Sequence, residues 1–207
     1  GITKVKGVSA GGNIELSGIE AAPAGLGLRL AWAADADSSS TTGDKTAGGA
    51  SGVKGSGWDA TVEMTSDLHG VDGLTVYGGI SQVDQYQNAT TVNGDSEETV
   101  FGVKYAMGNF SFGYQQSDDE TGIAAATSYE NTSYSVTFNV NDDLSIGYNH
   151  IESDKQGDSD TAEADSLQLA YTMGGASFRI AEINADNISY TAGNNKDATV
   201  ISLGLAF

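Results

Sequence analysis

Taken two residues at a time, the closing segment "ATVISLGLAF" sets Ile201, Leu203, Leu205 and Phe207 on one side and Ser202, Gly204 and Ala206 on the other. Strict alternation of this kind marks a strand with one apolar face and one face that is wet or lined by small side chains. The same period of two recurs at 26–34, 58–65, 74–83, 99–107, 109–116, 132–140, 144–151, 166–173 and 177–183, with a weaker copy at 13–20 ("NIELSGIE"). No helical period falls between these segments. Strands without intervening helices imply antiparallel meander connections rather than parallel crossovers.

The connections alternate in length. "DADSSSTTGDKTAGGASGVKGSG", "DQYQNATTVNGDSE", "SDDETGIAAATSYEN", "ESDKQGDSDTAEAD" and "NADNISYTAGNNKD" are long, whereas "SDLHGVDG", Gly108, "NDD" and the glycine pair at 174–175 are short. A β-sandwich has no reason to sort its loops in this way. A barrel spanning an outer membrane does, with short turns at the periplasmic end and long loops outside. The expected fold is therefore all-β: an antiparallel transmembrane β-barrel built as an up-and-down meander, with about eleven visible strands in one domain over 1–207.

The two faces support the same expectation. One carries Leu28, Trp32, Val62, Phe101, Phe112, Val136 and Leu169, and the other carries Arg29, Asp59, Glu63, Lys104, Gln115, Gln168 and Arg179. A polar, partly charged interior is too costly to be a dry protein core, but it suits the wall of a water-filled channel. If the last strand descends to the periplasm, Trp32, Trp58, Phe101 and Tyr134 fall near the outer ends of their strands. Tyr105, Phe110, Phe138, Tyr171, Phe178 and Phe207 then fall near the inner ends. Two aromatic belts at the two lipid–water boundaries are what a membrane barrel requires.

Composition narrows the chemistry. The 207 residues contain no apolar run of about 18 that would span as a helix, and nothing at the start resembles a signal peptide, so any such peptide is expected to have been removed. The absence of cysteine removes disulfides, thiolate metal sites and cysteine nucleophiles together. The net charge of −19 repels nucleic acid and favours cations. Only His69 and His150 are available for acid–base catalysis, one in a short turn and one near an outer rim beside Glu152 and Asp154, so no enzyme is expected. The acidic stretches at 117–120 and 154–165 match no calcium-loop spacing. Solvated loops account for them, with Ca²⁺ or Mg²⁺ bridging to lipopolysaccharide phosphates as the functional alternative. No resident cofactor is expected.

The segments "LTVYGGIS", "NFSFGYQQSD", "LSIGYNHIES" and the ending "ISLGLAF" together resemble the general porins of Gram-negative outer membranes, of the alphaproteobacterial type. The stretch "NIELSGIEAAPAGLGLRLAWAAD" resembles the porin hairpin that follows the constriction loop, with Pro23 in its turn. The resemblance implies passive diffusion of small hydrophilic solutes and ions, a homotrimer, and contact with outer-membrane lipid and lipopolysaccharide. It also implies that Arg29, Lys104 and Arg179 form a basic pore wall, with Asp59 and Glu63 beside them as the alternative structural partners. The acidic excess adds an expectation of cation preference. Such porins have 16 strands, so this chain is either the C-terminal two-thirds of a longer barrel or a 12-stranded barrel completed by "ITKVKGVSA". Residues 1–12 would then be a constriction-loop remnant or an extra strand, although Lys4 and Lys6 share the face of Ile2 and Val8. From a different class, a small closed outer-membrane barrel with a structural or adhesin role and no open pore fits the same pattern.

Overall fold

Each of the apolar-alternating segments forms a strand, and the strands pair with their neighbours in chain order. A computed structural model describes residues 13–18, 22–33, 56–84, 94–122 and 128–205. Their order is β1 (Asn13–Ser17), β2 (Leu26–Ala33), β3 (Gly57–Met64), α1 (Ser66–His69), β4 (Leu74–Val83), β5 (Ser96–Met107), β6 (Phe110–Glu120), β7 (Tyr129–Asn139), β8 (Leu144–Lys155), β9 (Ala162–Met173), β10 (Ala176–Asp186) and β11 (Lys196–Leu205). The hydrogen-bonded order runs from β1 to β11 without a crossover. The short connections leave a strand no room to do anything but turn back on its predecessor, and the strands joined by long connections pair in the same antiparallel sense.

Two departures from the sequence reading have clear causes. The turn after β3 contains one helical turn, α1, where a plain loop was expected. The strands also continue past their apolar stretches. Ser117–Glu120 belongs to β6, and the supposed long loop between β8 and β9 shrinks to 156–161. Apolar alternation records where a face meets hydrocarbon, whereas the ladder is held by backbone hydrogen bonds that acidic residues make equally well. Ala34 and the flank of β1 at 19–20 lie outside the described residues, as do 1–12, 206–207 and the connections 34–55 and 85–93.

The chain divides into two compact units. The first comprises Gly1–Val71, Thr75–Gly102 and Ser117–Tyr129, and the second Asp72–Leu74, Val103–Gln116 and Glu130–Phe207. In the first, β2 and β3 set Leu28 opposite Val62, Leu30 opposite Ala60 and Arg29 opposite Thr61. β3 and β4 continue these rows, with Ala60 opposite Ile80 and Asp59 opposite Ser81. Because these pairings keep like with like, one face of the ladder is mainly apolar and the other mainly polar.

The second unit keeps the same sorting. Ile146, Leu169, Ile180 and Ile201 form one row across β8 to β11 on the apolar face. Ser145, Ala170, Arg179 and Ser202 form the matching row on the other. The tight turns after β5 and β9 rest on Gly108 and Gly174, at φ 58° and 57°, a region that two-residue hairpin turns demand and that glycine enters without strain.

Burial is inverted relative to a water-soluble protein. Among the described residues no large side chain is fully buried. Leu203 is 66% exposed, Ile201 63% and Phe112 45%, while Asp59 is 4% and Ser81 2% exposed. A sheet that turns most of its large apolar side chains to one exposed face needs a nonpolar solvent on that side.

Candidate pore wall

The polar face is built by parity. In the first unit, Gly27, Glu63 and Tyr77 make one row, Arg29, Thr61 and Gly79 the next, and Ala31, Asp59 and Ser81 the third. Glu15, opposite Ala31, joins the same face from β1. Arg29 donates from Nη2 to Glu15 Oε2 at 2.9 Å, with half of the arginine side chain in solvent. The partner of Arg29 is therefore Glu15, not the neighbouring Asp59 or Glu63. Glu15 was missed because β1 carries the weakest apolar pattern of all, although its position in "NIELS" already gave it the right parity.

Tyr77 also belongs to this face. Its ring fills the space over Gly102, where a Cβ would run into the phenol carbons. A bare backbone at 102 thus lets an aromatic ring lie flat along the wall, a close approach that strand glycines permit.

In the second unit, Lys104 and Arg179 sit on the exposed polar face among Ser, Thr, Gln and Ala side chains. Arg179 lies between Ala170 on β9 and Ser202 on β11. Lys196, opposite Ala185, shares the face, as does Lys155 at the end of β8, which pairs with Asp158 at 2.5 Å. The strand acids of this unit lie on the opposite, outward face: Glu152, Asp154, Glu163, Asp165, Glu182 and Asp186, with Glu130 and Asp197 on the flanking strands. Charge is thus sorted by face and by sign.

The aromatics flank the apolar face. Trp32 stands opposite Trp58, and Phe101 is exposed on β5. Tyr134 stacks on His150 with ring centroids 4.8 Å apart, and Tyr148 lies 6.4 Å from Tyr134. Toward the short-turn end, Tyr105 is exposed, Phe110 and Phe138 meet at 4.5 Å, and Phe178 stands opposite Tyr171. Phe207 lies outside the described residues. Tyr148 was not among the residues assigned to the belt, though its parity within "LSIGYNHI" places it on the apolar face.

The two histidines are held locally. His150 Nδ1 lies 2.8 Å from Asp165 and Nε2 2.8 Å from Glu152, and Asp165 also accepts from Tyr148. The second carboxylate comes from β9 rather than from Asp154, which instead accepts from Thr161. With both ring nitrogens occupied and no hydroxyl nucleophile on them, this arrangement is a cross-strand clamp. His69 ends α1, and its Nδ1 accepts the Val71 N–H at 3.2 Å. Among the described residues no three metal-ligating side chains converge.

Outward apolar side chains, belts of aromatics and a hydrophilic opposite face define a membrane-embedded β-strand array. The sequence matches the family model of Gram-negative porins over residues 5–207, and the chain belongs to that family. Its place is accordingly the Gram-negative outer membrane. Solved structures agree in fold. The anion-selective porin of Comamonas acidovorans matches at TM-score 0.69 and 12% identity, covering 94% of this chain and 59% of the other. OmpF of Salmonella typhi, solved with daunomycin, matches at TM-score 0.69 and 13% identity, covering 94% and 62%. OmpT, an outer-membrane protein of Vibrio cholerae, matches at TM-score 0.56 and 12% identity, covering 93% and 62%. The chain spans about three-fifths of the length of these relatives. Comparison with curated proteins gives no match.

Proposed function

We propose that this chain forms the wall of an outer-membrane pore through which small hydrophilic solutes and ions diffuse passively. The observation that carries the reading is the sorting of side chains: the apolar face takes lipid, and the polar face takes water at Arg29, Lys104, Arg179 and Glu63, with Asp59 buried within it. Transport of this kind needs no turnover. A polar wall removes the cost of stripping a solute of its hydration, pore width limits solute size, and wall charge biases ion choice. Membership of the porin family supports assembly as a homotrimer, with outer-membrane lipid and lipopolysaccharide around the barrel. Divalent ions at the acidic outer strand ends would serve only as bridges to that lipid.

Purified protein reconstituted in planar bilayers should give stepwise openings whose conductance rises with salt. Folded, inserted protein that stays electrically silent would instead support the closed structural barrel. Cross-linking in mild detergent should yield a species three times the chain mass.

A further inference from the structure

The net charge of −19 suggests a cation-preferring pore only if the charge lines the pore. The strands place it elsewhere. On the described strands, all Lys and Arg side chains fall on the polar face: Arg29, Lys104, Lys155, Arg179 and Lys196. The acids sharing that face are Glu15, Asp59, Glu63, Glu98 and Asp119. The two signs are equal in number there. Among the described strand residues the outward face carries acids and no Lys or Arg, so its charge contributes to the total without lining the polar side.

The members of this balanced set differ in how free they are. Arg29 is held by Glu15 at 2.9 Å, so the pair presents little net charge to an ion passing at several ångströms. Arg179 is in the opposite situation. Its ladder neighbours are Ala170 and Ser202, and the strand residues sharing its face in the second unit include no Asp or Glu. Three positions along the same strand, Glu182 points to the other face and accepts Thr199 Oγ1 at 2.6 Å.

We infer that Glu15 and Arg179 are opposing selectivity determinants of the pore wall, and that the wall discriminates weakly between cations and anions despite the acidity of the chain. The inference rests on the pore reading above. Glu15 acts by neutralising Arg29, and Arg179 by offering anions a guanidinium that no acid on the described strands of its face in the second unit compensates. A unit charge about 6 Å from a permeating ion in water is worth roughly a threefold change in its local concentration, fading at molar salt.

The test is the reversal potential of reconstituted channels in a potassium chloride gradient, for wild type and for Arg179→Gln, Glu15→Gln and Glu182→Gln. Heat-modifiable gel mobility would report folding of each. The expected result is a wild-type permeability ratio near unity. Arg179→Gln should shift it several-fold toward cations, because cation and anion concentrations move in opposite senses, and Glu15→Gln by a similar factor toward anions. Glu182→Gln should leave it unchanged, and both shifts should shrink in molar salt. A strongly cation-selective wild type, or a shift from Glu182→Gln as large as that from Arg179→Gln, overturns the inference. Open channels whose selectivity ignores both Arg179 and Glu15 also overturn it while leaving the pore reading intact. Absence of channels from folded protein overturns the pore reading itself.

Discussion

Trp32 on β2 stands directly opposite Trp58 on β3, and the Trp58 indole donates its N–H to Gln82 Oε1 on β4 at 2.9 Å. These are the only tryptophans in the chain, and both lie on the apolar face close to where it gives way to polar residues. An amphipathic indole settles at a lipid–water boundary because its ring prefers hydrocarbon while its N–H keeps a polar partner. The emission of this protein in bilayers should therefore be quenched strongly by lipids brominated near the headgroup and only weakly by aqueous acrylamide. Quenching in the reverse order would place both rings in water and remove the outer belt.

Neighbouring positions on β11 offer a direct test of the face assignment. Ile201 lies in the apolar row and Ser202 in the polar row. Ile201→Arg puts a guanidinium into hydrocarbon and should lower folding stability by about 2–4 kcal/mol, whereas Ser202→Arg should change it by less than about 1 kcal/mol. Urea titrations of the two variants folded into lipid vesicles would show the difference. Equal costs would mean that both faces meet the same solvent.

Gly102 and Gly147 are both strand glycines on the polar face, but they meet different surroundings. At Gly102 an added Cβ collides with Tyr77, while at Gly147 the nearest atom, Thr137 Oγ1, lies 3.5 Å away in ordinary contact. Gly102→Ala should cost about 1–3 kcal/mol through displacement of the tyrosine, and Gly147→Ala should be close to neutral. Tyr77→Ala, made together with Gly102→Ala, should recover part of the loss. No recovery in the double variant would show that the ring is not the obstacle.

His150 ties two strands through Asp165 and stacks on a third through Tyr134. His150→Ala leaves two carboxylates without that partner, so a loss of about 1–2 kcal/mol is expected. Local loosening at the outer ends of β7 to β9 should accompany it, visible as faster amide exchange at 148–153 and 163–167. Exchange that accelerates evenly over all strands would argue against a local clamp.

Much of the strand pattern was legible in the chain because solvent writes it directly. A face that meets hydrocarbon must be apolar at every second residue, and that constraint is local, so it appears at 26–34, 99–107 or 198–207 without reference to any other part of the molecule. Strand order followed in part, since each short turn forces the two strands it joins to be neighbours in the sheet, whereas a long connection does not. The parity of Arg29, Lys104 and Arg179 came with it.

What the pattern could not supply was register and the reach of each ladder. Ladder pairing extends into acidic segments such as 117–120 and 162–165, where backbone hydrogen bonds persist after the lipid has ended. Whether Arg29 meets Glu15 or Glu63, and whether His150 meets Asp154 or Asp165, depends on how far one strand slides along the next. Sliding by two residues leaves every face unchanged, so periodicity carries no information about it. Only the folded ladder chose those partners, and with them the charge that is left free on the polar face.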